Sequence, residues 1–180
     1  MNVFFDTEFT GLHKETSLIS IGMIAGNGQK FYAEIIDYDK KQVDEWIKDN
    51  VINNLWVVTK TIHECSECDY YYVGTKNQIA QYLREWISQF ENVQLVSDVA
   101  HYDMVLFIDL FGGAFDLPDN VSPVCHDINQ DIARFFKMTP KEAFNLSREC
   151  ILGICDSGDN KHNALYDAEI IKKIYEFINY

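Results

Sequence analysis

Positive charge is what this chain has least of. Fifteen Lys and Arg stand against 28 Asp and Glu, a formal net charge of −13. A phosphate-binding surface is normally basic, so this balance excludes a long duplex as a partner. It excludes a short strand end less strongly, because acids clustered around divalent cations do not repel phosphate in the same way. Long apolar runs are missing too. No stretch reaches membrane-spanning length, so no membrane is expected. Near the N-terminus no basic region precedes a long apolar stretch, so no secretory signal is read there. The five cysteines, an odd number without such a signal, point to reduced thiols in a cytoplasm. Internal repeats, low-complexity tracts and interdomain linkers are also absent. The 180 residues suit one domain, residues 1–180, and 47% hydrophobic content is enough for a folded core.

The first nine residues, MNVFFDTEF, pose a question of charge. Asn2 to Phe5 read as a buried strand with no helical period. Asp6 and Glu8 then follow, two apart, and so share one face of that strand. Two unpaired carboxylates beside apolar surface repel each other and lose water, which pushes one toward protonation. A compensating cation is required, either a Lys or Arg or a metal ion. No Lys or Arg lies between Met1 and His13, which favours metal.

Further along, "SLISIGMIAGNGQKFYAEII" reads as a β-hairpin with Asn27-Gly28 as its two-residue turn, giving three sequential strands. "KKQVDEWIKDNV" is a short helix candidate. "NQIAQYLREWISQF" is a stronger one, with Ile79, Leu83, Trp86, Ile87 and Phe90 on one stripe. "NVQLVS" reads as a buried strand, and "YDMVLFIDLFG" as a helix stopped at Gly112-Gly113. "SPVCHD" is a short strand candidate. Thr139, Pro140 and Glu142 form a capping-box signature. A last helix spans roughly 163–178. Strands first, then alternating helix and strand, imply an α/β fold with a mixed sheet flanked by helices.

That last helix carries Asp167 on the same stripe as Ala164, Ile171, Ile174 and Ile178. An inward Asp needs a partner, which for one residue alone is most simply a salt bridge or a backbone hydrogen bond. Asp103 opens an apolar helix in the same anomalous way, and alone it reads as a first-turn acid. Together these positions form a pattern. "FDTEFTGL", "VSDVAHYDMVLF" and "HNALYDA" resemble the three signature motifs of the DEDD 3′–5′ exonucleases, in the histidine-bearing subgroup. That subgroup includes oligoribonuclease, RNase T and the proofreading subunit of bacterial DNA polymerase.

The resemblance implies a ribonuclease-H-like fold, with the first three strands antiparallel and the later ones parallel. It implies a metal-dependent 3′–5′ exonuclease acting on the single-stranded 3′ end of RNA, or of DNA, and releasing nucleoside 5′-monophosphates. Asp6, Glu8, Asp103 and Asp167 would hold two ions, Mg²⁺ or Mn²⁺, and His162 would be the general base. Val99 stands where many relatives carry Asn, and Asp98 is a rival to Asp103. A homodimer is a family expectation. The chemistry agrees: two ions about 3.5–4 Å apart can hold both attacking and leaving oxygens, and hard ions choose oxygen ligands. His162 lies one or two residues before the helix and so can swing over the site, with an unperturbed pKa near 6.5 that suits a base. In the substrate-binding turn Phe9, Thr10, Gly11 and Leu12, Leu12 is the candidate wedge against terminal bases. Phe9 reads equally as a stacking ring or a core residue.

Other signals carry less. His63, Cys65 and Cys68 make half of a zinc site, and no second half follows. Cys125 and His126, neighbours on a strand, point to opposite faces, and Asp127 reads as a helix cap. Tyr70-Tyr71-Tyr72 reads as an edge strand or core. A DNA exonuclease and a non-catalytic interaction domain are the rival readings.

Overall fold

The computed structural model describes residues 1–59, 68–154 and 161–179. A six-stranded sheet is its frame. The strands are β1 (Asn2–Phe9), β2 (Leu18–Ala25), β3 (Lys30–Ile35), β4 (Tyr70–Gly74), β5 (Gln94–Ser97) and β6 (His126–Asp127), in the order β4-β3-β2-β1-β5-β6. The pairs β1/β2 and β2/β3 are antiparallel, whereas β3/β4, β1/β5 and β5/β6 are parallel. This is the mixed sheet expected from the order of elements, in the ribonuclease-H-like arrangement that the family resemblance implies.

Alternation along β1 separates two layers. Val3 and Phe5 face α3 (Lys76–Ile87) and α4 (Ala100–Leu110), where Ile79, Leu83, Trp86 and Phe107 complete one core. Phe4 faces α5 (Ile128–Phe136) and α8 (Ala164–Asn179), packing with Ile128, Ile132, Ile171 and Ile174. Asp6 and Glu8 lie in register with Gly22 and Ser20 of β2, and the pairing shifts between Glu8 and Phe9. Gly22 is needed where it stands. A Cβ there would strike the backbone of Ala164 and Leu165, so only glycine lets the start of α8 lie this close to the sheet.

The strand and helix expectations mostly agree with the structure. Thr75 and Gln78 form a capping box that starts α3, and Thr139 with Glu142 does the same for α6 (Pro140–Asn145). Asp127 caps α5 by accepting from Asn129 N, and β4 is an edge strand.

Two expectations need correction. The "KKQVDEWIKDNV" stretch is not one helix. It divides into a 3₁₀ turn (Lys40–Gln42) and α1 (Glu45–Asn50), because Asp44 takes an extended conformation and caps α1 by accepting from Ile47 N. A second 3₁₀ turn (Ile52–Asn54) and α2 (Trp56–Thr59) follow. The β2–β3 turn has three residues, not two. Ala25 N donates to Gln29 O across it, and Gly28 alone takes the left-handed conformation, at φ 93°.

Candidate active site

Four carboxylates from three elements meet where β1 runs toward the ends of α4 and α8. Asp6 and Glu8 project from β1 toward the layer that holds α8. Asp103 is in the first turn of α4 and fully buried, and Asp167 is in the first turn of α8. α8 starts at Asn163, whose side-chain oxygen accepts from Leu165 N (3.2 Å) and Tyr166 N (3.3 Å). That cap leaves His162 just outside the helix, in a left-handed turn with φ 62°.

The ligating atoms fall into two sets. Those of Glu8, His162 and Asp167 lie within 4.8 Å of one another, and so do those of Asp6, Asp98 and Asp103. All five residues expected at the centre are therefore brought together. Asp98, weighed only as a substitute for Asp103, joins it instead.

The electrostatics show a site short of cations. Burial, then the negative charges of Asp103, Asp167, Glu8 and Asp98, hold the Asp6 carboxyl well above the usual range. Glu8 is raised in the same way, by burial and then by Asp167, Asp103 and Asp98. Burial pushes Asp167 up to about 8, with Asp98 and Glu149 adding to it. Asp103 rises to about 7 through burial, and two hydroxyl donors restrain it. Thr7 donates to its Oδ1 at 2.5 Å, and Ser97 donates to its Oδ2. His162 is lowered, chiefly by burial and then by Lys161, so its imidazole is neutral at neutral pH. Carboxylate oxygens and one imidazole, crowded and, among the described residues, with only Asp98 paired to a cation of the protein, fit divalent cations: charge on the ion removes the repulsion that burial magnifies.

The site opens into a cleft of about 660 Å³. Phe9, Gly11 and Leu12 line it. Leu12 is 75% exposed and free to meet a ligand, while Phe9 stacks on Tyr102 at 5.3 Å. Thr10 does not line the cleft. Its hydroxyl donates to Gln42 Oε1 (2.5 Å) and accepts from Ser17 N (2.8 Å), so it holds the turn that presents Leu12.

Trp46, Phe144 and Arg148, which no motif or period marks out, also stand in the walls. Arg148 begins α7 (Arg148–Ile151) and donates through Nε to Asp98 Oδ2 at 2.8 Å and through a terminal nitrogen to Asn129 Oδ1 at 2.6 Å. Among the weaker motifs, His63 and Cys65 lie outside the described residues. Cys68 donates to backbone carbonyls of Lys30 and Tyr70, and burial pushes its thiol to about 11.

Comparison with known proteins assigns the family. The 3′–5′ exoribonuclease Rv2179c-like domain matches residues 1–179. The chain belongs to this exoribonuclease family. Among curated relatives of this Rv2179c-like domain, the 3′–5′ exoribonuclease Rv2179c of Mycobacterium tuberculosis strain H37Rv is 26% identical over 130 residues, 72% of this chain and 73% of that protein. The 3′–5′ exoribonuclease MT2234.1 of strain CDC 1551 matches to the same extent. A solved structure of the nuclease domain of 3′hExo, a DEDDh family member bound to rAMP, superposes with a TM-score of 0.66 at 15% identity, over 97% of this chain and 88% of that one. A 3′-exonuclease structure described by its recognition of a histone mRNA stem-loop gives a TM-score of 0.62 at 12% identity, over 98% of this chain and 63% of that one. These two establish the shared fold. The Rv2179c-like family is one of 3′–5′ exoribonucleases, and membership makes this chain an enzyme of the 3′–5′ exonuclease class. Among the described residues no helix is long and apolar enough to cross a membrane.

Proposed function

We propose that the chain is one exonuclease domain that removes nucleoside 5′-monophosphates from the single-stranded 3′ end of RNA by a two-ion mechanism with Mg²⁺ or Mn²⁺. The observation that carries this reading is the pair of ligand sets side by side. Each contains a β1 carboxylate, and the groups that act on Asp6 and Glu8 are anions throughout. Oxygen donors select hard divalent ions.

Asp6, Glu8, Asp103 and Asp167 would hold the ions. Bound there, two divalent cations supply positive charge to the attacking and leaving oxygens of the phosphodiester. His162, neutral and beside Glu8 and Asp167, accepts the proton of the attacking water. Thr7 and Ser97 keep Asp103 oriented and favour its ionised form. Leu12 meets the terminal base, an apolar contact that tolerates any base. Lys161 and Arg148 are cations of the cleft, and Arg148 is bonded to Asp98, which suits a short strand end better than a duplex. A structural neighbour that holds rAMP supports the product class.

The test is a time course on end-labelled RNA and DNA oligomers of matched sequence, single- and double-stranded, with Mg²⁺, Mn²⁺ or EDTA. Metal-dependent shortening from the 3′ end of single-stranded RNA, abolished in Asp6→Ala and Asp167→Ala, is the expected result. Faster digestion of the DNA would reassign the substrate. Full activity in both variants would remove the mechanism.

A further inference from the structure

His162 needs something to hold it. It sits outside α8, in a left-handed conformation that a residue with a Cβ adopts rarely; its backbone N–H bonds the Asp167 carboxyl, which fixes the main chain and leaves the ring free to turn. A base must keep its nitrogen within reach of the proton it takes, so a loose ring lowers the rate.

A strap formed by residues 40–55, after β3, reaches the same turn. Ile47, Val51 and Leu55 anchor it by packing on Ile19 of β2. From α1, Trp46 sets its indole edge-to-face with the His162 ring, centroids 5.1 Å apart and planes at 75°. From the 3₁₀ turn that follows, the Asn54 amide donates to Asn50 O (2.7 Å) and to Lys161 O (3.2 Å). One contact holds the ring and the other holds the backbone one residue before it. The far end of the strap is fixed as well: Gln42 accepts from Thr10 and donates to Glu15 O (2.9 Å).

We infer that Trp46 and Asn54 are positioning residues for His162, and that the strap carrying them braces the catalytic base. This rests on the proposed role of His162. Trp46 itself remains 55% exposed, so its removal spares the core.

A double-mutant cycle on single-stranded RNA tests the inference. Trp46→Ala should lower kcat by about tenfold, part of the 10²–10⁴ that a general base contributes, with little change in KM. Trp46→Phe, which keeps an aromatic edge, should recover most of the loss, and Asn54→Ala should repeat it. In a His162→Ala background, Trp46→Ala should cost nothing further. Nuclear Overhauser contacts between the Trp46 indole and the His162 ring protons should be present in the wild-type protein and weakened by Asn54→Ala. A raised KM with unchanged kcat, or a full additional loss in the double variant, overturns the bracing role while leaving the nuclease reading intact. A wild-type protein that releases no nucleotide refutes the nuclease reading first, and the role of Trp46 with it.

Discussion

Gly22 of β2 lies flush against the backbone of Ala164, at the exact level where Asp6 faces the cleft from β1. The distance between the strand acids and the helix acid therefore depends on a missing side chain. Gly22→Ala should cost about 1–3 kcal/mol of stability, the usual penalty for forcing a methyl into a packed interface. Because α8 must retreat, and Asp167 and His162 with it, activity should fall by about 10²-fold. Urea unfolding and RNA digestion on the same preparation check both numbers.

Stability without metal should fall as pH rises. Asp103 and Asp167 titrate near 4 in an unfolded chain and at about 7 and about 8 in the folded one. Between those limits the folded chain binds more protons, so raising the pH favours unfolding. The lowered His162 acts the opposite way, but only below roughly pH 6.5, where the unfolded chain takes the proton first. In EDTA, thermal unfolding should come at a lower temperature at pH 8.5 than at pH 6.5. Mg²⁺ should raise it more at pH 8.5. A transition that climbs with pH in EDTA would contradict the crowding of acids.

Thr7→Val removes a buried donor from Asp103. Leaving that oxygen unsatisfied should cost about 1–3 kcal/mol. The carboxyl should also rise further, because the lost bond favoured its ionised form. Calorimetric titration with Mn²⁺ should find weaker binding than in the wild type, with the gap widening toward acid pH.

Leu12→Ala should leave stability unchanged, since the side chain is exposed. A contact of about 1–3 kcal/mol per base predicts a KM for short RNA raised roughly 5- to 150-fold. An unchanged KM would assign the wedge elsewhere.

Arg148→Met leaves Asp98 without its partner at the edge of the acid cluster. With both side chains mostly buried, the loss should be about 3–5 kcal/mol. Denaturant titration measures it directly.

What could be read from the sequence follows from the periods of its elements. Asp6 and Glu8 were legible because a strand repeats every two residues, and Asp167 because α8 is long enough to define a stripe. Trp46 and Arg148 were not. They sit on helices of six and four residues, too short for any periodicity, and their places depend on contacts with distant segments. Asp98 reads from the sequence as a rival to Asp103, since nothing local says that both can face Asp6; the structure places both there. The hairpin turn failed by one residue because a glycine in the left-handed conformation serves two- and three-residue loops alike; the pairing of Ala25 with Gln29 decides between them.

The carboxylates of β1 are made early and Asp167 late, because α8 closes the site from the far end of the sequence. Synthesis thus delivers the first carboxylates of the acid cluster long before the last. The acid cluster is complete only once α8 has packed on the sheet, and a chain shortened before α8 would keep the β1 carboxylates but lack the set that Asp167 and His162 complete.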